Sequence, residues 1–508
     1  METKTTKTTI SNTLWRACDT FRGKIDSSVY KDYVLVMLFV KYLSDTYKEH
    51  LDKYNEKYEG NEERIKRALE RDRFVLDEKS TFEYVYNKRN ESNVGEIINK
   101  ALERIEEENK AKLRGVFRNI DFNSEAILGQ TKDRNSMLKH LLEDFKDLDL
   151  KPSSIGKSDV IGDAYEYMIG KFASDAGKKG GEFFTPSEVS ELLSRLVKPK
   201  ENDRIYDGTC GSGSLLLKTA NKVPSGKVAI YGQERNGQTQ SLCRMNMFLH
   251  GFDDAKIEWG DTLSNPLFLD NGKLMKFQVI VLNPPFSLDK WAMGFAGAGD
   301  DKNFKMEASL DPHRRFEWGV PPKSKGDYAF IQHFLHSLAE GGRMGIVLPH
   351  GVLFRGAAEG RIRKQILDMN LLDAVIGLPA NLFFGTGIPA CVLLFKKNRT
   401  KKDVLFIDAS GEGHYEKGTN QNILRESDIK EIMDAYEKYE DIEKYAHVAK
   451  PEEIKENDFN LNIPRYVDTF EEEEPVDMDA VKENITNIKK ELVEVENKME
   501  KYLGELGL

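Results

Sequence analysis

Proline is absent from the first 150 residues, and cysteine is scarce throughout: Cys18, Cys210, Cys243 and Cys391 lie far apart with no C-x-x-C pair among them. That spacing disfavours a disulfide framework or a zinc site and suits reduced thiols that serve as packing residues. Long apolar runs are also missing. The longest, Val34 to Val40, is bracketed by Tyr33 and Lys41, far short of the roughly 20 residues that a membrane span requires. No apolar segment follows Met1-Glu2-Thr3-Lys4, so no secretory leader is readable and a cytoplasmic chain away from membranes is expected. Positive charge does not dominate either, because 75 Lys and Arg stand against 85 Asp and Glu, a net charge of −10. Long-range electrostatics therefore disfavour stand-alone nucleic-acid binding, and any such contact must be local or supplied by a partner.

What is present is a globular composition, 39% hydrophobic and 31% charged over 508 residues, long enough for roughly two to four domains. Residues 1–150 carry apolar side chains at helical spacing, as in Leu35, Leu38, Phe39 and Leu43, and are expected to form an all-helical domain. Lys151 to Lys157 is a Pro/Ser/Gly stretch that reads as a linker. Between 158 and 440, apolar β-branched runs alternate with amphipathic stretches, which predicts an α/β domain, a mostly parallel sheet with helices on both faces. Residues 441–508 are expected to form a tail. There Met478, Val481, Ile485, Ile488, Leu492, Val495, Met499 and Tyr502 step by three and four residues, a heptad seam on a terminal helix that calls for a partner.

Four strand ends carry the chemistry. Arg204 to Ser214 reads as a strand, a Gly-rich turn and a helix start, with glycines at 208, 211 and 213 and an acid, Asp207, at the strand tip. A dinucleotide loop would be written G-x-G-x-x-G, and a tip acid would repel a pyrophosphate while welcoming the amino group of an amino-acid-like ligand. The next strand ends in Glu234, where a carboxylate can accept bonds from both ribose hydroxyls, implying a nucleoside ligand. Asp261 follows a third strand, Lys256 to Trp259, and could face an adenine edge. The fourth signal is Val279 to Leu282 running into Asn283-Pro284-Pro285-Phe286. The Asn283 side-chain oxygen and the Pro284 carbonyl can hold both hydrogens of a planar exocyclic amine while Phe286 stacks on the base.

These residues resemble the adenine-N6 amino methyltransferases, and the resemblance extends to the modification (M) subunits of type I restriction-modification systems. Asn283 to Phe286 looks like the family's catalytic motif and Asp207 to Gly213 its S-adenosylmethionine loop. Gly181 to Ser187 is similar to the segment closing over the methionine end of that cofactor. Leu14 to Asp19, Leu38 to Asp45, Gly341 to Pro349 and Phe459 to Tyr466 also resemble their counterparts, so the likeness covers nearly the whole chain. Gly208 stands where many relatives have proline, which is expected to loosen the turn without removing the site.

The resemblance implies a Rossmann-like class I methyltransferase fold. It assigns Asn283, Pro284, Pro285 and Phe286 to catalysis. It assigns Glu182, Phe183, Phe184, Thr185, Pro186 and Ser187 to the cofactor, together with Asp207, Thr209, Gly211, Ser212, Gly213 and Ser214, and with Glu234 and Asp261. No metal is implied. The implied reaction is methyl transfer to an adenine flipped out of double-stranded DNA. Its sequence specificity would come from a separate S subunit, with two M chains per S and a restriction (R) subunit joining for cleavage. The aperiodic stretch between Phe286 and Asp327 is expected to include a mobile loop over DNA. Alternatives left open are a self-sufficient adenine methyltransferase, which would methylate a specific site alone, and a protein glutamine methyltransferase. A dehydrogenase lacks its fingerprint, and a pure scaffold would have no use for Asn283 and the Gly-rich loop together.

Overall fold

The computed structural model describes residues 5–155, 159–175, 185–295, 304–383, 387–419, 421–469 and 478–506. Two compact units result, Met1–Val467 and Asp468–Leu508.

The first unit begins with helices. The hydroxyl of Thr6 caps α1 (Lys7–Phe21) by accepting from the Thr9 amide at 3.2 Å. The apolar run Val34–Val40 lies in α2 (Ser27–Lys57) and is buried on all sides, because α1, α3 (Thr131–Phe145) and α4 (Asp159–Asp175) all pack on α2. The expected linker is built into this layer. Pro152–Ile155 forms one helical turn with Ile155 buried, and the Thr5 amide donates to the Ser154 carbonyl at 3.0 Å.

The sheet follows. Its strands are β1 (Arg204–Asp207), β2 (Ala229–Glu234), β3 (Lys256–Trp259), β6 (Phe277–Leu282), β7 (Leu338–Pro349), β8 (Leu372–Gly377), β9 (Ala390–Lys396), β10 (Val404–Asp408) and β11 (Ala446–Ala449), while β4 (Leu269–Asp270) and β5 (Lys273–Leu274) form a separate hairpin. The order is β11-β10-β8-β9-β7-β6-β1-β2-β3. Neighbours pair parallel except that β9 runs antiparallel to both β7 and β8, and β11 runs antiparallel to β10. The mixed sheet is thus mostly parallel, as the alternation of apolar runs predicts. β11 and the helix Pro451–Glu456 lie inside the stretch read as tail, yet they extend the sheet unit.

Both faces of the sheet are covered. Along β6, Ile280 and Leu282 join one core with Phe330 and Phe334 of a helix Asp327–Ser337, whereas Val279 and Val281 join the other with Leu192 and Leu216. That two-residue period is what a strand buried on both sides requires. The helical layer docks on the sheet's flank through α4 and through Phe248, whose ring meets Phe39 edge-on at 5.6 Å.

The stretch between Phe286 and Asp327 is less loose than its sequence suggests. Residues 296–303 lie outside the described set, but Trp291, Phe295 and Phe316 are buried against one another with ring centroids 5.1 to 6.0 Å apart. Arg315, fully buried, pairs with Asp311 at 2.7 Å in the same core. Losing one partner of such a pair costs about 3–5 kcal/mol.

The second unit contains the helix Met478–Leu506. Its apolar row is exposed at Ile485, Ile488, Leu492, Val495, Met499 and Tyr502, with Ile488 64% accessible. Among the described residues, no helix is long and apolar enough to cross a membrane.

Candidate functional site

Because β1, β2, β3 and β6 are parallel, their carboxyl ends emerge along one edge, with Asp207 opposite Gly232 and Glu234 opposite Trp259. Between β6 and β1 the connections turn in opposite directions, the place where open α/β sheets leave a crevice. A cavity of about 380 Å³ lies there, lined among others by Thr209, Glu234, Asp261, Asn283, Pro285 and Phe330. The structure therefore gathers five of the sequence-predicted residues from four separate strand ends.

The turn after β1 is tightly built. Gly211 and Gly213 have φ of +54° and +85°, a region that L side chains rarely adopt. A Cβ on Gly213 would sit 2.5 Å from the Met247 methyl and 2.7 Å from the Cys243 sulfur. The helix α5 (Ser187–Val197) precedes β1, α6 (Ser214–Ala220) opens directly from the turn, and α7 (Gly237–Leu249) backs it. From α7, Asn246 donates its Nδ2 to the Ser212 carbonyl at 3.0 Å. Ser212 and Ser214 share a hydroxyl–hydroxyl bond of 3.0 Å. Gly208 is not loosely held, since a Cβ there would come within 2.7 to 2.8 Å of Phe334, Thr262 and the Tyr206 hydroxyl.

Asp207 is turned inward. It is 2% exposed, and its Oδ1 accepts from the Thr209 amide at 2.8 Å and the Thr209 hydroxyl at 3.2 Å. Burial pushes its carboxyl up to about 7 against those two bonds, and the Glu234 charge pushes the same way. Glu234 is also buried, and burial raises its pKa. Its Oε2 accepts from the Gly211 amide at 3.0 Å and its Oε1 from the Asn236 amide at 2.7 Å, which orients the carboxylate without using all its lone pairs. Asn236 in turn caps α7 by accepting from Gln238 and Thr239 at 3.0 and 3.1 Å. Asp261 accepts from the Leu263 and Ser264 amides, both at 2.9 Å, and lies 3.5 Å from Arg235.

The turn after β6 is different. Asn283 donates its Nδ2 to the Thr185 hydroxyl at 3.2 Å, while its Oδ1 is shut off from solvent and has no hydrogen-bond partner among the described residues. Pro284 is buried; Pro285 and Phe286 are half-buried, and the Phe286 ring stands edge-on to Phe383 at 5.6 Å. Ser287, at φ +51°, is pinned by its amide donating to Asp327 Oδ1 at 2.8 Å, and Arg355 pairs with the same carboxylate. The turn is thus rigid around one unspent acceptor.

Of the remaining predicted residues, Pro186 precedes α5 and Ser187 opens it, while Glu182, Phe183 and Phe184 lie outside the described residues. Sequence reasoning missed Phe330, Thr262, Leu263 and Leu288 on the cavity wall, and Arg315, which supports the wall by donating to the Leu263 carbonyl at 2.7 Å. No local pattern marks them.

Comparison with known proteins adds the following. The profile of the N-6 DNA Methylase family matches residues 156–475, and that of the HsdM N-terminal domain matches residues 10–145. The chain is 35% identical to the type I restriction enzyme MpnII methylase subunit of Mycoplasma pneumoniae, over 94% of this chain and 93% of that one. It is 32% identical to the HindI methylase subunit of Haemophilus influenzae, over 82% and 93%. Its fold superposes with a TM-score of 0.77 on the type I restriction-modification methyltransferase subunit of Streptococcus thermophilus, 37% identical, covering 91% of this chain and all of that one.

Proposed function

The chain belongs to the N-6 DNA methylase family as a type I restriction-modification methylase subunit, an adenine-specific DNA methyltransferase, and from that premise we propose that the cavity at the ends of β1, β2, β3 and β6 is its catalytic centre. The observation that carries this reading is the orphaned Asn283 Oδ1. Leaving a buried acceptor unmade costs about 1–3 kcal/mol, and a site that holds one open beside a cavity is built for a donor that arrives with the substrate.

The residues present fit S-adenosylmethionine. The cavity is of the size that takes a nucleoside. Glu234 presents a fixed carboxylate where ribose hydroxyls donate, and Asp261 lies where an adenine edge would meet it. When bound, this cofactor supplies an electrophilic methyl carbon on a sulfonium. The protein does the rest by positioning. Asn283 Oδ1 and the Pro284 carbonyl accept the two hydrogens of the adenine N6 amine, which draws its lone pair out of conjugation and towards the methyl. Thr185 anchors the amide by accepting from Asn283 Nδ2 at 3.2 Å, which leaves the oxygen for the amine. Phe286 offers a ring to the flipped base.

Sequence specificity comes from a separate S subunit, in a complex of two M chains per S that an R subunit joins for cleavage. The net charge of −10 and the exposed apolar row on Met478–Leu506 support this division of labour, the row serving as a docking helix for the S subunit. Of the domains read from sequence, 1–150 is the helical part of this scheme, 158–440 together with β11 and Pro451–Glu456 the catalytic part, and the helix Met478–Leu506 within 441–508 the docking part.

The test is N6-methyladenine mapping in a host free of other adenine methyltransferases, with the chain expressed alone and with its S subunit. Methylation of a split, two-part motif only in the presence of S is expected. A continuous motif methylated by the chain alone would favour the self-sufficient enzyme, and no adenine methylation in either case would overturn the reading. Deleting residues 477–508 should weaken co-purification with S; unchanged co-purification would remove the docking role.

A further inference from the structure

β7 runs parallel beside β6, with Ile346 opposite Leu282, so the segment that follows β7 emerges next to the turn that carries Asn283. That segment is a short turn, His350–Leu353, followed by Phe354 and Arg355. Its backbone is tied down on both sides of Phe354. The Val352 carbonyl accepts from the Tyr328 hydroxyl at 2.8 Å and from Arg363 at 3.1 Å, the Leu353 carbonyl from the Leu461 amide at 2.9 Å, and the Arg355 carbonyl from Arg363 at 3.0 Å. The Arg355 guanidinium is held between Asp327 and Glu359 and lies 3.5 Å from the hydroxyl of Ser287, the residue after Phe286. The Phe354 ring, by contrast, is left in solvent. It is 48% accessible, and no other phenylalanine among the described residues is as exposed.

Apolar side chains scattered singly over a surface are ordinary. This one differs in being held out by a fixed loop beside the catalytic turn. The duplex that delivers an adenine to Asn283 must lie over the carboxyl edge of the sheet, where the cavity opens, and the segment after β7 stands on that same edge. An adenine that leaves the stack opens a gap one ring thick and leaves its partner base without a neighbour. An apolar side chain on a rigid support is what enters such a gap between bases. We propose that Phe354 is the wedge that fills the gap left by the flipped adenine, with Arg355 bracing it against the catalytic turn. This rests on the catalytic reading above and adds to it the residue that stabilises the flipped state of the DNA.

The experiment uses the complex of the full chain with its S subunit, on duplexes that carry the mapped motif. With 2-aminopurine in place of the target adenine, the wild-type complex should raise the fluorescence as the base unstacks, and Phe354→Ala should remove most of that rise. On the adenine duplex Phe354→Ala should lower kcat roughly fivefold to a hundredfold, the scale of one base–aromatic stack, while Phe354→Trp keeps it. Calorimetric affinity for S-adenosylmethionine and co-purification with S should not change. With a mismatched target adenine, which leaves the stack at less cost, the kcat of Phe354→Ala should return to within about threefold of wild type. An equal loss on matched and mismatched duplexes, or no loss on either, would overturn the wedge. So would weaker assembly with S, which would mark Phe354 as a protein contact. A wild-type complex that methylates neither duplex would overturn the catalytic reading itself, and this inference with it.

Discussion

Asp207 and Asn283 stand at matching places, one closing β1 and the other following β6, on neighbouring parallel strands. Their side chains have opposite fates. The Asp207 carboxylate is tied to its own turn, its Oδ1 accepting from both donors of Thr209, whereas the Asn283 oxygen is kept clear while its nitrogen is anchored to Thr185, 98 residues away. The difference teaches how to weigh polar strand tips. A tip satisfied by residues two positions on shapes the loop, and a tip anchored from afar with one atom left over is reserved for a ligand.

The largest effect should come from breaking the open side. Asn283→Ala is expected to lower kcat by roughly a hundred- to a thousandfold, the scale of removing one preorganised hydrogen-bonding group from a transition state. Donor affinity measured by calorimetry should hold, because Asn283 is not among the groups that grip ribose or amino acid; a variant with near-normal turnover would overturn the assignment.

The closed side should answer in stability instead. Asp207→Ala leaves the Thr209 amide and hydroxyl without their acceptor and should cost about 1–3 kcal/mol in unfolding free energy. Asp207→Asn isolates the charge. Because burial lifts the native carboxyl from its ordinary 3.8 to about 7, the native state keeps a proton that the unfolded chain has already lost between those values. The contribution of this group to stability therefore falls as pH rises from about 4 to about 7 and is level on either side. Wild type should therefore lose stability relative to Asp207→Asn as pH rises through that range; parallel pH profiles would show that the native carboxyl does not titrate above its ordinary value.

Thr185→Val should have the smallest effect and sharpens the contrast most directly. It removes the anchor of the Asn283 nitrogen, so it should lower kcat by about tenfold and unfolding free energy by no more than about 0.5–1.5 kcal/mol. Loss of stability without loss of kcat would mean that Thr185 serves packing.

Much of this architecture was legible before the fold was known. Strand β3 is predicted to the residue, and the helix start read at the end of the Gly-rich turn appears as Ser214–Ala220. Such segments are decided by local pattern: a short β-branched run, a Gly-rich turn, an asparagine before two prolines. Pattern could not say what would cover an apolar face. Val34–Val40 and the row from Ile485 to Tyr502 read alike as helical, yet the first is enclosed by three other helices and the second is exposed. It also could not find Arg315, one of two adjacent arginines, which only the core closing around it singles out.

The sequence alone determined the chemistry available at each strand end, because turn residues and strand tips are contiguous in the chain. Only the tertiary structure decided which of those tips still has a lone pair to offer. Hydrogen-bonding capacity is used up by whichever partner arrives in space, and Gly211 on Glu234 and Thr185 on Asn283 are separated from them by 23 and 98 residues and meet them only when the strands and helices have packed.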